Sequence, residues 1–201
     1  MKNKYQDLVR DLSERELLVH LYVTQVILLS ISLILGLIIY KDLWFIGSLF
    51  IWNDTSIFSI GVLAGILVVF MDLFFMKVLP KSFYDDGGLN EKIFQNRNIL
   101  HIAIIALFVA FSEELLFRGI IQTHVGLIGA SIIFAVIHYR YLFNWYLFAN
   151  IIILSFLIGY IFYLTDNLAV TFVMHFIVDF LLGSFIMIKN KKSQNKGSDF
   201  S

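Results

Sequence analysis

Three ionisable side chains lie inside an apolar stretch of the chain that is long enough to cross a membrane. Glu113, Glu114 and Arg118 interrupt the sequence IAIIALFVAFSEELLFRGII. A charged side chain at the centre of a bilayer costs about 2.5–3.5 kcal/mol, so three of them must be buried in protein and paired. The stretch therefore has to belong to a bundle of helices with a polar interior.

The remainder of the chain has the same apolar character. Hydrophobic residues make up 59% of it, and several apolar runs approach the length that crosses a hydrocarbon core, about 20 residues. We predict an all-α fold, a polytopic transmembrane helix bundle with about six spans. The spans are expected at residues 17–40, 57–79, 99–121, 125–139, 145–164 and 168–188.

Two features on either side of the first span add detail. Ser13 and Glu16 have the S-x-x-E spacing of a capping box, which predicts that a helix begins at about residue 14. Segment 43–52, LWFIGSLFIW, is apolar but too short to cross a bilayer. Its tryptophans favour an interfacial or re-entrant segment, although an extra crossing here would reverse the direction of later helices.

Basic residues are distributed unevenly between the two sides of the predicted bundle. With six spans and both termini in the cytoplasm, Lys41 alone lies outside and Arg118 is buried. This separation is the positive-inside pattern of an integral membrane protein, for which we expect the plasma membrane. The basic residues then on the cytoplasmic side are Lys2, Lys4, Arg10, Arg15, Lys77, Lys81, Lys92, Arg97, Arg140, Lys189, Lys191, Lys192 and Lys196.

The spacing of the three charges along their helix predicts different roles for the two glutamates. Glu114 and Arg118 are at i and i+4, the spacing at which a carboxylate and a guanidinium pair on a helix. Glu113 points about 100° away around the same axis, so it is left unpaired. An unpaired glutamate in an apolar site can serve as a general base.

Other ionisable residues occur in three further predicted spans. His138 ends the sequence FAVIH, and His175 with Asp179 forms an i, i+4 pair in MHFIVD. Each residue alone is also explained by a hydrogen bond between helices, but together they predict a shared polar pocket. Asp72 is expected to be structural, a carboxylate that pairs with the nearby Lys77 or snorkels beside it at the span end.

The order of these motifs resembles a known family, the CAAX prenyl protease and bacteriocin-processing group of intramembrane peptidases, also called abortive-infection-like membrane proteases. The chain has E-E-x-x-x-R at 113–118, F-x-x-x-H at 134–138 and H-x-x-x-D at 175–179. The resemblance covers residues from about 107 to 188. It implies a membrane-embedded endopeptidase that hydrolyses a peptide bond of a membrane-associated peptide or protein.

The resemblance also implies a role for each residue of the motifs. Glu113 and His138 would activate a water, and His175 with Asp179 would stabilise the oxyanion. Glu114 and Arg118 would hold the site together. Because an ionised aspartate cannot donate a hydrogen bond, the alternative for Asp179 is that it orients His175.

The predicted spans and motifs divide the chain into four parts. A cytoplasmic N-terminal segment occupies 1–16, and spans with a polar loop occupy 17–98. The catalytic core occupies 99–188, and a solvated, basic polar tail occupies 189–201. The expected partners are the lipid bilayer and a peptide or protein substrate, with no nucleic acid.

Two alternatives to metal-free proteolysis remain open from the sequence. Two histidines with a carboxylate is a catalytic zinc pattern, for which Glu113, His138, His175 and Asp179 would be the ligands. The H-E-x-x-H spacing is absent, and we expect no cofactor. The second alternative is a non-catalytic scaffold or immunity factor, or a proton-coupled carrier, that uses the same buried residues.

Overall fold

The computed structural model describes residues 11–138, 141 and 144–198, and these residues form helices without any strand. The predicted all-α bundle is confirmed. The long helices are α1 (Glu14–Tyr40), α3 (Leu63–Val78), α6 (Ile99–Glu114), α7 (Thr123–Ile137), α8 (Trp145–Thr165) and α9 (Leu168–Ser198). Short helices are α2 (Phe45–Leu49), α4 (Lys81–Tyr84) and α5 (Leu89–Phe94), and two π-helical segments are π1 (Ile57–Val62) and π2 (Leu115–Gln122).

The first helix begins where the sequence predicts it. Ser13 is the N-cap of α1, its hydroxyl accepts from the backbone N–H of Glu16, and the Glu16 carboxylate accepts from the Ser13 N–H. This reciprocal pair satisfies two backbone donors that the first helical turn leaves open.

The third and fourth predicted spans form one helical stretch that reverses at Gly126. Five helical stretches are long and apolar enough to cross a membrane, and Ile99–Ile137 is one of them. Gly126 has φ 75° and ψ 172°, a conformation that only glycine adopts readily. The contact between Phe117 and Phe134, whose rings meet edge to face with centroids 4.8 Å apart, shows that the chain folds back there. Counting both arms of this hairpin agrees with about six spans.

Segment 43–52 does not cross the bundle. Its helix α2 packs into one end, where Phe45 joins a cluster with Leu115 and Leu168. The buried side chain of Asn167 accepts from the Ile51 N–H and donates to the Ile51 carbonyl and to Asp54 Oδ2. Hydrogen bonds from Ser56 and from Asn167 lower the pKa of the Asp54 carboxyl below its ordinary value.

The helix ends group at two opposite ends of the bundle. At one end, which we call the basic end, Arg97 contacts Glu14 at 3.4 Å and the Asn190 amide donates to the Gln95 carbonyl. The start of α1, loop 79–98 and the C-terminal half of α9 therefore lie together. Lys41 is the one Lys or Arg at the other end among the described residues, whereas Lys2, Lys4, Arg10 and Arg140 lie outside them.

Close helix packing follows the small residues in part. A Cβ on Gly61 would lie 2.7 Å from the Val170 carbonyl oxygen, and one on Gly65 would lie 3.0 Å from the Met174 carbonyl oxygen. These two glycines let π1 and α3 approach α9, as G-x-x-x-G spacing predicts. Residues 189–198, part of the expected polar tail, continue α9 as a helix. The outer surface is apolar, with large exposed side chains such as Phe58 and Leu67.

Candidate active site

The two adjacent glutamates lie at the junction of a regular helix and a wider one. Helix α6 ends at Glu114, and π2 continues the same stretch from Leu115. π-Helical turns inside longer helices are frequent at functional sites. All three charged residues are buried: Glu113 is 7% exposed, Glu114 1% and Arg118 0%.

Glu114 is held between a cation and an imidazole. Its Oε2 lies 3.6 Å from Nε of Arg118, and its Oε1 accepts from Nδ1 of His175 at 2.9 Å. The i, i+4 spacing predicts the first contact. The second contact joins α6 to α9, and the sequence did not indicate it. Both partners of Glu114 are buried in the protein.

Arg118 connects three parts of the bundle. Its Nη2 donates to Ser155 Oγ of α8 at 3.2 Å, and its guanidinium lies 5.6 Å from the centre of the Phe134 ring of α7. Gln122, one helical turn further, donates to the Gly159 carbonyl at 2.6 Å. A Cβ on Gly159 would fall 3.2 Å from Arg118 Nη1 and 2.8 Å from Gln122 Oε1, so glycine makes room for both polar groups.

Glu113 has different surroundings from its neighbour. It lines an internal cavity, and none of the described residues hydrogen-bonds its carboxylate. Glu114 and Arg118 are not among the residues lining the cavity. The structure thus separates one glutamate that is available to a bound molecule from one that is enclosed.

His138 lies at the C-cap of α7 and lines the same cavity as Glu113. Its Nδ1 is 2.9 Å from the Phe134 carbonyl oxygen, which can only accept, so Nδ1 carries the proton. In the neutral ring Nε2 is then the basic nitrogen. The ring also stacks on Phe134 with centroids 4.2 Å apart, which fixes its plane.

His175 lies between two carboxylates. Nδ1 donates to Glu114, and Nε2 is 3.5 Å from Oδ2 of Asp179 one turn further along α9. That distance is longer than a good N–H···O hydrogen bond, so the Asp179 contact is an ion pair when the His175 ring is protonated. His175 and Asp179 both line the cavity.

The cavity has a volume of about 1220 Å³ and extends from the basic end into the bundle. Lys81 of α4 and Lys189 of α9 line it at that end, and Glu113 lines its interior. The cavity brings four of the six predicted site residues onto one surface. These are Glu113, His138, His175 and Asp179.

Two polar contacts in the cavity wall were not found from the sequence. Asp72 accepts from the Asn150 amide at 3.2 Å, so its partner is Asn150 and not the expected Lys77. Gln25 of α1 is hydrogen-bonded to Ser112, the residue before Glu113. The sequence did contain a signal for these contacts, because Gln25 and Asn150 are polar residues inside apolar helices.

The sequence left metal binding open as an alternative to metal-free proteolysis. In the part of the chain that the structure describes, no group of three or more His, Asp or Glu side chains is arranged to hold an ion. His175 contacts Glu114 through Nδ1 and Asp179 through Nε2, and His138 contacts a backbone carbonyl through Nδ1.

Fold and site together define a polytopic helical membrane protein with a charged site on an internal cavity. The family model of type II CAAX prenyl endopeptidase Rce1-like proteins matches residues 95–181, which include all six predicted site residues. The chain is also similar to Uncharacterized protein YpbD of Bacillus subtilis (strain 168). The two are 42% identical over 156 residues, 78% of this chain and 82% of that protein. No solved structure matches the chain. The chain belongs to the Rce1-like family of type II CAAX prenyl endopeptidases.

Proposed function

We propose that this protein is an intramembrane endopeptidase that hydrolyses a peptide bond of a membrane-associated peptide with a water activated by Glu113 and His138. One observation carries the proposal. Of two adjacent buried glutamates, Glu114 is enclosed by Arg118 and His175, whereas Glu113 lines the same cavity as His138. Hydrolysis needs a base of this kind next to a space that holds water and substrate.

In the proposed reaction Glu113 takes a proton from water while the oxygen attacks the carbonyl carbon of the peptide bond. His138 accepts a hydrogen bond from the same water through Nε2, because its Nδ1 is committed to the Phe134 carbonyl. Glu113 then returns the proton to the leaving amine, so the enzyme ends in its starting state.

His175 is the proposed stabiliser of the oxyanion. When protonated, its ring donates from Nδ1 to Glu114 and presents Nε2–H toward the cavity, where Asp179 and the oxyanion can share it. Asp179 then orients His175 rather than donating to the oxyanion itself. Glu114 and Arg118 fix the ring from behind, through contacts to α8 and α9.

Access to the site is proposed to be from the cytoplasm. The cavity extends from the basic end, and the positive-inside rule assigns basic ends of membrane proteins to the cytoplasm. Helix α6 runs outward from Ile99, and this direction is compatible with cytoplasmic access. The cavity reaches Glu113 from the end of the bundle where α6 begins. Plasma-membrane peptides with a cytoplasmic segment are therefore the proposed substrate class, and the family's name suggests prenylated peptides among them.

The test compares membranes that contain the unmodified chain with membranes that contain Glu113→Gln. Mass spectrometry of newly formed peptide N-termini should show fragments that depend on Glu113. Asp42→Asn is the matched control, since Asp42 is an exposed carboxylate at the opposite end of the bundle and asparagine can still accept from Trp44. Equal fragment sets for the unmodified chain and Glu113→Gln, with both proteins inserted, would refute the proposal.

The proposed chemistry requires no metal. Protein purified without chelators should contain less than one equivalent of zinc, and its turnover should survive treatment with a chelator. Loss of turnover with chelator and recovery with Zn²⁺ would replace the glutamate mechanism by the zinc alternative.

A further inference from the structure

Gln25 is a buried amide on the first span that faces the cavity. It is 5% exposed, and the neighbouring wall residues on α1 include Leu21 and Leu28. A primary amide in an apolar helix is unfavourable unless its hydrogen-bonding groups find partners. The partners of the Gln25 amide therefore indicate which of its hydrogen-bonding groups is available to a ligand.

One half of the amide has a partner in the protein. The Oε1 atom of Gln25 lies 2.6 Å from Ser112 Oγ, a hydroxyl that also lies 2.8 Å from the Phe108 carbonyl oxygen of its own helix. The Nε2 group has two protons to donate, and none of the described residues accepts from it. Among the described residues, this donor therefore has no acceptor, and it belongs to a buried side chain that lines the cavity.

The position of this donor relates it to the proposed chemistry. Ser112 immediately precedes Glu113, and both Gln25 and Glu113 line the cavity. A peptide backbone that passes Glu113 brings carbonyl oxygens that accept hydrogen bonds. Residue 25 lies outside the matched family segment 95–181, so the contact comes from a part of the chain that the family motifs do not include.

We propose that Gln25 is a substrate-binding residue that donates a hydrogen bond from Nε2 to a backbone carbonyl of the peptide next to the scissile bond. The proposal rests on the proposed endopeptidase function. It assigns α1 a direct role in binding: the first span forms one wall of the substrate site and holds the peptide against Glu113.

The experiment measures peptide cleavage by purified full-length protein in detergent. The probes are an internally quenched peptide that ends in S-farnesyl-cysteine and three further residues, and a mixture of quenched peptides without the farnesyl group. Gln25→Met replaces the amide by an apolar side chain of similar length. Gln25→Leu also removes the NH₂ donor and introduces no buried charge, which covers the case in which Gln25→Met fails to fold.

Both variants should lower kcat/KM about five- to tenfold, mainly through KM, with thermal midpoints near that of the unmodified protein. Ser32→Ala is the matched control: Ser32 is buried on the same helix, donates to its own Leu28 carbonyl and does not line the cavity.

The outcomes separate the two proposals. If the unmodified protein cleaves a probe and both Gln25 variants keep kcat/KM within about twofold, the substrate contact is wrong and the endopeptidase function stands. A lowered thermal midpoint with unchanged kinetic constants would also overturn the substrate contact. In that case Gln25 would only hydrogen-bond one helix to another. If the unmodified protein cleaves neither probe and Glu113→Gln changes no membrane peptide, the proposed function fails and this inference fails with it.

Discussion

Glu113 and Glu114 are consecutive residues whose surroundings differ in almost every respect. Glu114 contacts Arg118 at 3.6 Å and His175 at 2.9 Å, and it does not reach the cavity. Glu113 faces the cavity. In a low-dielectric interior, removing one member of an ion pair costs more than the pair itself contributes, because the remaining charge stays buried and unpaired. The two glutamates are therefore expected to respond differently to mutation.

Arg118→Ala should destabilise the protein in addition to abolishing turnover. The change leaves Glu114 with His175 as its remaining charged partner and removes the donor to Ser155, which is expected to cost about 3–5 kcal/mol. Thermal unfolding in detergent measures the loss. Arg97→Ala is the matched control, since its pair with Glu14 is partly exposed and should contribute about 1 kcal/mol or less. A normal unfolding midpoint for Arg118→Ala would contradict the pairing.

Asp179→Asn should reduce cleavage moderately, by about tenfold or less, without preventing folding. Asparagine can still accept from His175 Nε2 through its carbonyl oxygen, but it no longer stabilises a protonated ring by charge. A cleavage assay over a range of pH checks this expectation. Complete loss of turnover in a folded protein would instead identify Asp179 as a base or a metal ligand.

Among the elements, the hairpin formed by π2 and α7 does most to place the site. Gly126 reverses the chain, so that Phe134 packs against Phe117 and His138 faces the same cavity as Glu113. The π-helical turns of π2 then carry Arg118 toward Ser155. A regular helix through this region would place His138 far from Glu113 along a single axis.

Gly126→Ala should destabilise the hairpin by about 1–3 kcal/mol, because alanine is strained at φ 75° and ψ 172°. A Cβ at Gly126 meets no atom within 4 Å, so backbone strain is the whole effect. Gly47→Ala is the matched control. A Cβ at Gly47 also meets no atom within 4 Å, but Gly47 lies in helix α2, where alanine is neutral or slightly favourable. Thermal unfolding of the two variants compares them, and equal midpoints would exclude a role for the glycine conformation.

For the molecule as a whole, the two ends of the bundle differ in charge and in access. Lys81 and Lys189 lie at the end from which the cavity extends, and Lys41 lies at the other. The opposite end is closed by α2 and by the hydrogen bonds of Asn167 to Ile51. A substrate is therefore expected to enter from the basic end.

Single cysteines test this orientation cleanly, because the natural chain contains no cysteine. Thr55→Cys lies exposed at the closed end, and Ser82→Cys lies exposed at the basic end. In intact cells a membrane-impermeant maleimide should label Thr55→Cys, whereas Ser82→Cys should react only after the membrane is permeabilised. The reverse pattern would place the cavity mouth outside the cytoplasm.

The sequence by itself determined the fold class, and it predicted which residues form the candidate site. Apolar runs predict spans because a bilayer requires backbone hydrogen bonds to be satisfied within helices. Charged residues in those runs predict a buried cluster, because lipid cannot solvate them. The i, i+4 spacing correctly predicted the contact between Glu114 and Arg118, since that relation depends on one helix alone.

Only the tertiary structure decided how different helices meet. The contact of Glu114 with His175 spans α6 and α9, and the Ser112 contact of Gln25 spans α1 and α6. Periodicity along one helix carries no information about its rotation against another, which depends on packing at residues such as Gly61. The separate spans at 99–121 and 125–139 already predict a reversal between them, but the side from which the cavity extends was fixed by the folded bundle, not by local sequence.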